Sequence, residues 1–193
     1  EKKKGLIASS AGNHAQGVAF AAQKLGVKAT IVMPKHTPLI KVEATARFGA
    51  EVVLHGEVYD EAYEKAKELQ EEKGYIFFFF FDDDAVIAGQ GTIALEILKE
   101  LPDVDIIMVP LGGGGLISGI AAAAKLKNPE IKIIGVEPEG AASAIKSLNE
   151  GKVTELSESY TIADGAAVKR IGDTTFEYIK KYVDEIITVS DYE

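Results

Sequence analysis

Two loops rich in glycine and serine hold the residues whose types and spacing could do chemistry. The first is Ser9-Ser10-Ala11-Gly12-Asn13-His14-Ala15-Gln16-Gly17, which follows an apolar run and opens a helical pattern. The first N–H groups of a helix have no intrahelical acceptor and sit at the positive end of its dipole, so such a turn can hold an anion. Small residues at 9 to 12 would let a ligand approach the backbone. Asn13 adds an amide that donates and accepts, and His14 adds an imidazole. The same residues could also do no more than cap the helix, with Ser10 or Asn13 at the N-cap. The second loop is Pro110-Leu111-Gly112-Gly113-Gly114-Gly115-Leu116, again between a strand-like and a helical run. Four glycines in a row are entropically costly and a plain turn does not need them. Leading into a helix, they form the pattern of a phosphate cradle. Two common nucleotide patterns fail here. A Walker loop needs Lys after its closing glycine, but Ile120 follows Gly119, and the dinucleotide fingerprint needs glycine where Ile117 and Ser118 stand. A phosphorylated cofactor of another kind fits the loop better.

The elements that must position these loops follow from periodicity. Strands are expected at 5–9, 29–33, 51–54, 75–81, 105–109, 131–136 and 185–189. Helices are expected at 14–25, 40–48, 60–73, 87–101, 116–127, 141–149 and 176–183. In the first helix the inward face reads as Val18, Ala21, Ala22 and Leu25, and in the third as Ala62, Ala66 and Leu69. Strand–helix alternation of this kind predicts an α/β fold with parallel sheets and helices on both faces. The acidic turn Asp82–Asp84 is the natural division, giving a smaller α/β domain over 1–84 with the first loop and part of a larger one over 85–193 with the glycine loop. Between Gly151 and Val168 no period is sustained, and a long, functional loop is expected. The run Phe77–Phe81 reads either as a buried strand or as an altered stretch.

Composition narrows the function classes. A net charge of -9 in 193 residues, with no basic stretch beyond Lys2-Lys3-Lys4, disfavours nucleic acid and anionic membranes as partners. With no cysteine, neither a disulfide framework nor a thiolate metal site is possible. No apolar run approaches the ~20 residues of a membrane span, and a cytoplasmic location is expected. The chain opens without Met on a charged run and stops at Asp191-Tyr192-Glu193 just after a strand, so it is expected to be incomplete at both ends.

The pairing of the two loops resembles the fold-type-II pyridoxal-phosphate enzymes, whose architecture is that of the tryptophan synthase β chain. Within them, SAGNHAQG at 10–17 and VPLGGGGLISG at 109–119 resemble the threonine dehydratase (threonine deaminase) and serine dehydratase–serine racemase family. The likeness continues through Lys41–Thr45, Gly49–Val53, Ile87–Thr92, Gly135–Glu137 and Ala163–Gly165. It implies pyridoxal 5′-phosphate as cofactor and L-threonine or L-serine as substrate, with a 2-keto acid and ammonia as products. It also implies a place in amino-acid metabolism such as isoleucine biosynthesis, and a homo-oligomer when complete. By the same resemblance, Asn13 meets the cofactor ring's 3′ oxygen. Ser10, Gly12, Asn13 and His14 surround the substrate carboxylate, Gly112, Gly113, Gly114, Gly115 and Leu116 hold the phosphate, and Gly165 lies beside the cofactor.

The departures are specific. The Schiff-base lysine belongs to a Ser-x-Lys-x-Arg-Gly motif upstream of the first loop, which these residues do not contain, so no catalytic residue is assigned and these 193 residues alone are expected to be inactive. Phe79-Phe80 stand where His-Pro is expected, and Ala166 and Ile171 where Ile and Pro are. Serine racemase is the nearest rival, but it carries Ser at the position of Ala11, and alanine cannot move a proton. Glu137 could ligate a divalent ion in racemase-like relatives, yet Ser143 stands at the second acidic position; otherwise Glu137 reads as a solvated strand-end carboxylate. A non-catalytic nucleotide-binding module, with Glu137 on a ribose hydroxyl, is the reading from another class.

Overall fold

A computed structural model describes residues 4–78 and 81–192. Contacts divide the chain into two compact units, Glu1–Phe80 and Phe81–Glu193. In the first, strand β1 (Leu6–Ser9) leads to helix α1 (Asn13–Leu25), β2 (Ala29–Met33), α2 (Leu39–Ala46), β3 (Glu51–Leu54), α3 (Tyr59–Lys73) and β4 (Ile76–Phe77). The strands form one parallel sheet in the order β3-β2-β1-β4, with Ile7 opposite Thr30 and Ile31 opposite Val52. Alternate side chains of a strand point to opposite faces. Ile7 and Val32 therefore pack with Ala62, Ala66 and Leu69 of α3, while Ala8, Ile31 and Met33 pack with Ala15 and Val18 of α1. With both faces covered, β2 is buried along its whole length, as parallel strands generally are.

The helix faces differ in one respect from the sequence reading. Helix α3 turns Ala62, Ala66 and Leu69 inward, as its spacing predicts, but α1 buries Ala15, Val18, Ala19 and Ala22. Ala21 is exposed, and Leu25 is 60% exposed. The i, i+3, i+4, i+7 spacing starting at Ala15 fits the sheet, and small alanines let α1 lie close to it. Among the described residues, the strand expected at 75–81 covers Ile76 and Phe77. Phe79 and Phe80, the centre of the phenylalanine run, lie outside the described residues.

The second unit begins with α4 (Asp84–Glu100), followed by β5 (Ile106–Pro110), α5 (Gly115–Lys127), β6 (Lys132–Pro138), α6 (Ser143–Glu150), α7 (Asp173–Tyr182) and β7 (Glu185–Val189), with short 3-10 turns at Glu139–Ala141 and Asp164–Ala166. The sheet is parallel in the order β5-β6-β7. Its core joins Ile107 and Val109 of β5, Ile117, Ile120 and Ala124 of α5, Ile133 of β6, and Phe176 and Ile179 of α7. Helices α4 and α5 meet at two glycines. A Cβ on Gly91 would stand 3.1 Å from the Gly119 carbonyl, and one on Gly119 2.6 Å from the Gly91 nitrogen. Those distances leave room for backbone only, which is what places both residues in the sequence. Lys125 pairs with Asp184 at 2.8 Å, and the second oxygen of Asp184 accepts from the Ile133 N–H at 2.7 Å.

The acidic turn has a more specific job than separating domains. Asp83 caps α4, its carboxylate accepting from the Ala85 and Val86 N–H groups at 2.8 and 3.2 Å. Asp82 caps a different helix ninety residues away, as its carboxylate accepts from the N–H groups of Asp173, Thr174 and Thr175 at 2.9 to 3.1 Å. Helix α7 therefore starts at Asp173, three residues before its expected start, with its cap supplied from outside.

The expected long loop, 151–168, carries the 3-10 turn at Asp164–Ala166 as its one regular piece. It is tied down at Tyr160, whose N–H donates to the Gly140 carbonyl, and at Asp191, which accepts from the Thr161 hydroxyl and the Ile162 N–H. No described helix is long and apolar enough to cross a membrane.

Candidate functional site

Both candidate loops leave the carboxyl end of a parallel strand and enter a helix, the place where open α/β sheets bind ligands. In the first unit, β1 ends at Ser9 and the Ser10 N–H still donates to the Val32 carbonyl at 3.2 Å. The N-cap of α1 is Gly12, and no side chain caps it. The capping alternative is therefore not realised: the Ser10 hydroxyl instead accepts from the Gly12 N–H at a long 3.4 Å, and Asn13 is the first helical residue, exposed. The Gln16 N–H donates to Gly12 as the first helical bond, so the N–H groups of Asn13, His14 and Ala15 precede any intrahelical acceptor. A Cβ on Gly12 would meet nothing within 4 Å. Burial pushes the His14 imidazole below its ordinary pKa, opposed by a hydrogen bond to the Phe78 backbone, so at neutral pH the ring is uncharged. Ser10, Gly12, Asn13 and His14 lie on or beside the turn that opens α1.

The glycine loop is built differently. Leu111 is still tied to the sheet, its N–H donating to the Val136 carbonyl at 2.8 Å. Gly114 is the N-cap of α5 with φ 96°, a left-handed conformation that favours glycine. A Cβ there would also press on the Thr175 hydroxyl at 2.8 Å. A Cβ on Gly113 would enter the Phe81 ring, one on Gly115 would sit 2.9 Å from the Phe81 Cα, and one on Gly112 would lie 3.2 Å from the Ala166 Cα. Gly113, Gly114 and Gly115 are thus required by the protein's own packing before any ligand is considered, and Gly112 sits in a tight place. What they contribute is backbone: the Ser118 N–H donates to the Gly114 carbonyl as the first helical bond, so Gly114, Gly115, Leu116 and Ile117 carry the helix's spare N–H donors. With no acidic residue in the first turn of this thirteen-residue helix, the donor set suits a phosphate dianion.

Gly165 lies against this loop, its carbonyl 3.3 Å from where a Gly112 Cβ would be, but a Cβ on Gly165 itself would meet no protein atom within 4 Å. Glu137 is not the solvated carboxylate it resembles in sequence. It is fully buried at the end of β6, and its two oxygens accept from the Ala144 and Ile145 N–H groups at 2.8 and 3.0 Å. Burial raises its pKa, and those backbone bonds oppose the rise. It caps α6 from the strand before it.

Three residues beside the glycine loop have no part in the site as read from the sequence, where Asp82 reads only as part of a turn. The Gly113 carbonyl accepts from the Gly172 N–H at 3.2 Å and from the Thr175 hydroxyl at 2.8 Å, and Asp82 holds the same turn of α7. The Gly172-Asp173-Thr174-Thr175 start of α7 carries a local capping signal, but nothing in the linear order connects it to Gly113 or to Asp82.

Comparison with known proteins agrees with this geometry. A family model described as "Pyridoxal-phosphate dependent enzyme" matches residues 1–193. An L-threonine ammonia-lyase of Thermotoga maritima is 54% identical over 193 residues, covering 100% of this chain and 48% of that protein. Among solved structures, the processed form of threonine deaminase isoform 2 from Solanum lycopersicum superposes with a TM-score of 0.94 at 49% identity, covering 98% of this chain and 55% of the other. Maize serine racemase gives the same TM-score at 39% identity, over 98% and 57%. The chain spans about half the length of the curated relatives it matches.

Proposed function

The chain belongs to the pyridoxal-phosphate dependent enzymes, and from that premise we propose that its full-length protein is a threonine ammonia-lyase, converting L-threonine, or L-serine, to a 2-keto acid and ammonia. The observation that carries the reading is the glycine loop: four glycines, three of them in places a side chain could not occupy without displacing its neighbours, lead to spare N–H donors at the start of α5. In this reading Gly112 to Leu116 hold the cofactor phosphate by N–H donation, and Asn13 meets the ring oxygen. Ser10, Gly12, Asn13 and His14 take the substrate carboxylate, and Gly165 keeps the cofactor's flank free of a side chain. When bound, the cofactor supplies the electron sink that makes the substrate α-proton removable. The neutral His14 ring has one N–H donor and one ring-nitrogen acceptor with which to meet the carboxylate.

No residue on these two loops can both anchor the cofactor covalently and take the α-proton, and the Ser-x-Lys-x-Arg-Gly motif is not among these residues. The 193 residues by themselves are therefore expected to give no turnover. Racemisation is the second reading, favoured by the superposition with maize serine racemase. It needs a proton donor on the opposite face, and the alanine side chain of Ala11 supplies none. Nucleotide binding loses its key residue, because both oxygens of Glu137 are taken by backbone N–H groups.

The test is to purify the full-length protein, record its visible absorbance, and assay 2-keto acid and D-amino acid from L-threonine and L-serine. Keto-acid release with bound pyridoxal phosphate is expected. D-serine as the main product would replace the lyase reading with the racemase one, and a colourless protein that binds nucleotide would overturn both.

A further inference from the structure

A row of glycines gives a phosphate cradle its shape but leaves its direction undecided, because a peptide between two glycines can turn over at little steric expense. Which way it faces determines what an anion meets. In a trans peptide the C=O of one residue and the N–H of the next point in opposite directions. The Gly113–Gly114 peptide is at the centre of this loop. Turned one way it offers the Gly114 N–H to an anion; turned the other, it offers the Gly113 carbonyl oxygen, which repels one.

The structure holds this peptide in one of the two states. The Gly113 carbonyl accepts from the Thr175 hydroxyl at 2.8 Å, the shorter of that hydroxyl's two contacts (the Gly172 carbonyl lies at 3.2 Å), and from the N–H of Gly172, the N-cap of α7, at 3.2 Å. Its opposite edge, the Gly114 N–H, is thereby directed away from α7. Thr175 is fully buried, so water does not compete for its hydroxyl. The α7 turn is itself fixed from two sides. Asp82 accepts from the N–H groups of residues 173, 174 and 175, and the Ser118 hydroxyl of α5 donates to the Thr175 carbonyl at 3.4 Å. Asp82, the α7 turn and the Gly113 carbonyl form one connected chain of hydrogen bonds.

We propose that Thr175 is a positioning residue for the anion cradle: its hydroxyl locks the Gly113 carbonyl inward so that the Gly114 N–H faces the cofactor phosphate. This rests on the reading of Gly112–Leu116 as the phosphate loop. Thr175 makes no contact with the phosphate in this account and acts only through the peptide it orients. Removing the hydroxyl takes away the shorter of the carbonyl's two donors and leaves only the Gly172 N–H at 3.2 Å, so the peptide turns over more readily, exchanging a donor for an acceptor at the anion.

The experiment uses the full-length protein stripped of cofactor and titrated with pyridoxal phosphate and, separately, with pyridoxal. Thr175→Val keeps the side-chain shape, Thr175→Ser keeps the hydroxyl, and Gly113→Val blocks the loop itself. Thr175→Val is expected to weaken pyridoxal phosphate by about ten- to a hundredfold, the worth of a hydrogen bond to a charged group. Its affinity for pyridoxal should be unchanged, and Thr175→Ser should remain within about twofold of the wild type, since it retains that bond. Equal weakening of both ligands by Thr175→Val would overturn the proposal, because a general loss of structure does not distinguish phosphate from its absence. Wild-type affinity in Thr175→Val alongside lost affinity in Gly113→Val would overturn the proposal and leave the loop reading standing. Wild-type affinity in both variants would remove the loop reading and the proposal with it.

Discussion

The two loops occupy equivalent places, each between a parallel strand and a helix, yet they are held in opposite ways. Around Gly12 there is space: no side-chain cap, one long hydrogen bond from the Gly12 N–H to Ser10, and nothing within 4 Å of a Cβ there. Around Gly113 and Gly114 there is none, and the carbonyl between them is fixed by two donors. Glycine thus does two different things in one chain. At 112–115 it lets the protein close on itself so that a rigid backbone surface is ready before the ligand arrives, which lowers the ordering that binding must supply. At 12 it leaves open space, with Ser10, Asn13 and His14 beside it. A permanently held cofactor suits the first arrangement, and a substrate that enters and leaves suits the second.

The strongest challenge to this contrast is to add one methyl group to each loop. Gly114→Ala places a β-carbon at φ 96° and 2.8 Å from the Thr175 hydroxyl. A loss of about 2–5 kcal/mol is expected from strain and overpacking, with loss of cofactor retention. Gly12→Ala has an extended φ of -126° and open space, so its unfolding free energy should move by no more than about 0.5 kcal/mol. Urea unfolding of both variants compares them directly, and equal losses would end the distinction.

Next in size is the cap that stiffens the second loop. Asp82→Ala removes the acceptor for three N–H groups of α7, and about 2 kcal/mol of stability with it. Asp83→Ala removes a cap for two N–H groups of α4, which should cost about 1 kcal/mol. Denaturant midpoints order the pair, and a larger loss at Asp83 would mean that the α7 turn does not depend on Asp82.

These caps also mark where reading the sequence stopped short. The alternation of strands and helices, the parallel sheets and both loops were legible because period 2, period 3.6 and glycine before a helix are local signals. Asp82-Asp83 was legible only as a turn, since a carboxylate that caps a helix ninety residues away has no local signature. Glu137 was misread as solvated for the same reason: its partners, the N–H groups of Ala144 and Ile145, come into reach only after the 3-10 turn at Glu139–Ala141 folds back. Leu25 was assigned inward because its spacing from Val18 and Ala22 is helical, but as the last residue of α1 it is left 60% exposed.

A smaller effect separates the loops by pH. The folded His14 has a pKa below 6.5, so the unfolded chain binds protons there that the folded one does not. Stability from this group is complete above pH 6.5 and is lost as pH falls from 6.5 toward the lower folded value. Wild type should therefore lose more thermal stability between pH 7.5 and 5.5 than His14→Asn does. No titratable side chain lies in Gly112–Leu116, so Gly113→Ala should keep the wild-type pH slope while losing cofactor. An identical slope in wild type and His14→Asn would show that burial of this ring has no bearing on folding.

The finest test is Ser10→Ala, where the fold should barely respond. Its hydroxyl accepts one N–H at 3.4 Å, at the long edge of a hydrogen bond, and Ser10 is only half-buried, so water can replace that contact. Stability should change by no more than about 0.5 kcal/mol. If the hydroxyl instead serves the substrate carboxylate, its removal takes away a hydrogen bond to a charged group and should raise KM for L-threonine about tenfold or more. Affinity for pyridoxal phosphate should stay as it is, because the proposed phosphate donors all lie in the other loop. The pattern reverses for Thr175→Val, where affinity for pyridoxal phosphate falls. In the full-length protein, a steady-state KM and a cofactor titration on the same two variants suffice to separate the roles. A Ser10→Ala protein that loses cofactor as readily as it loses substrate would show that Ser10 joins Asn13 in the cofactor's grip, and the assignment of this hydroxyl to the substrate would fail.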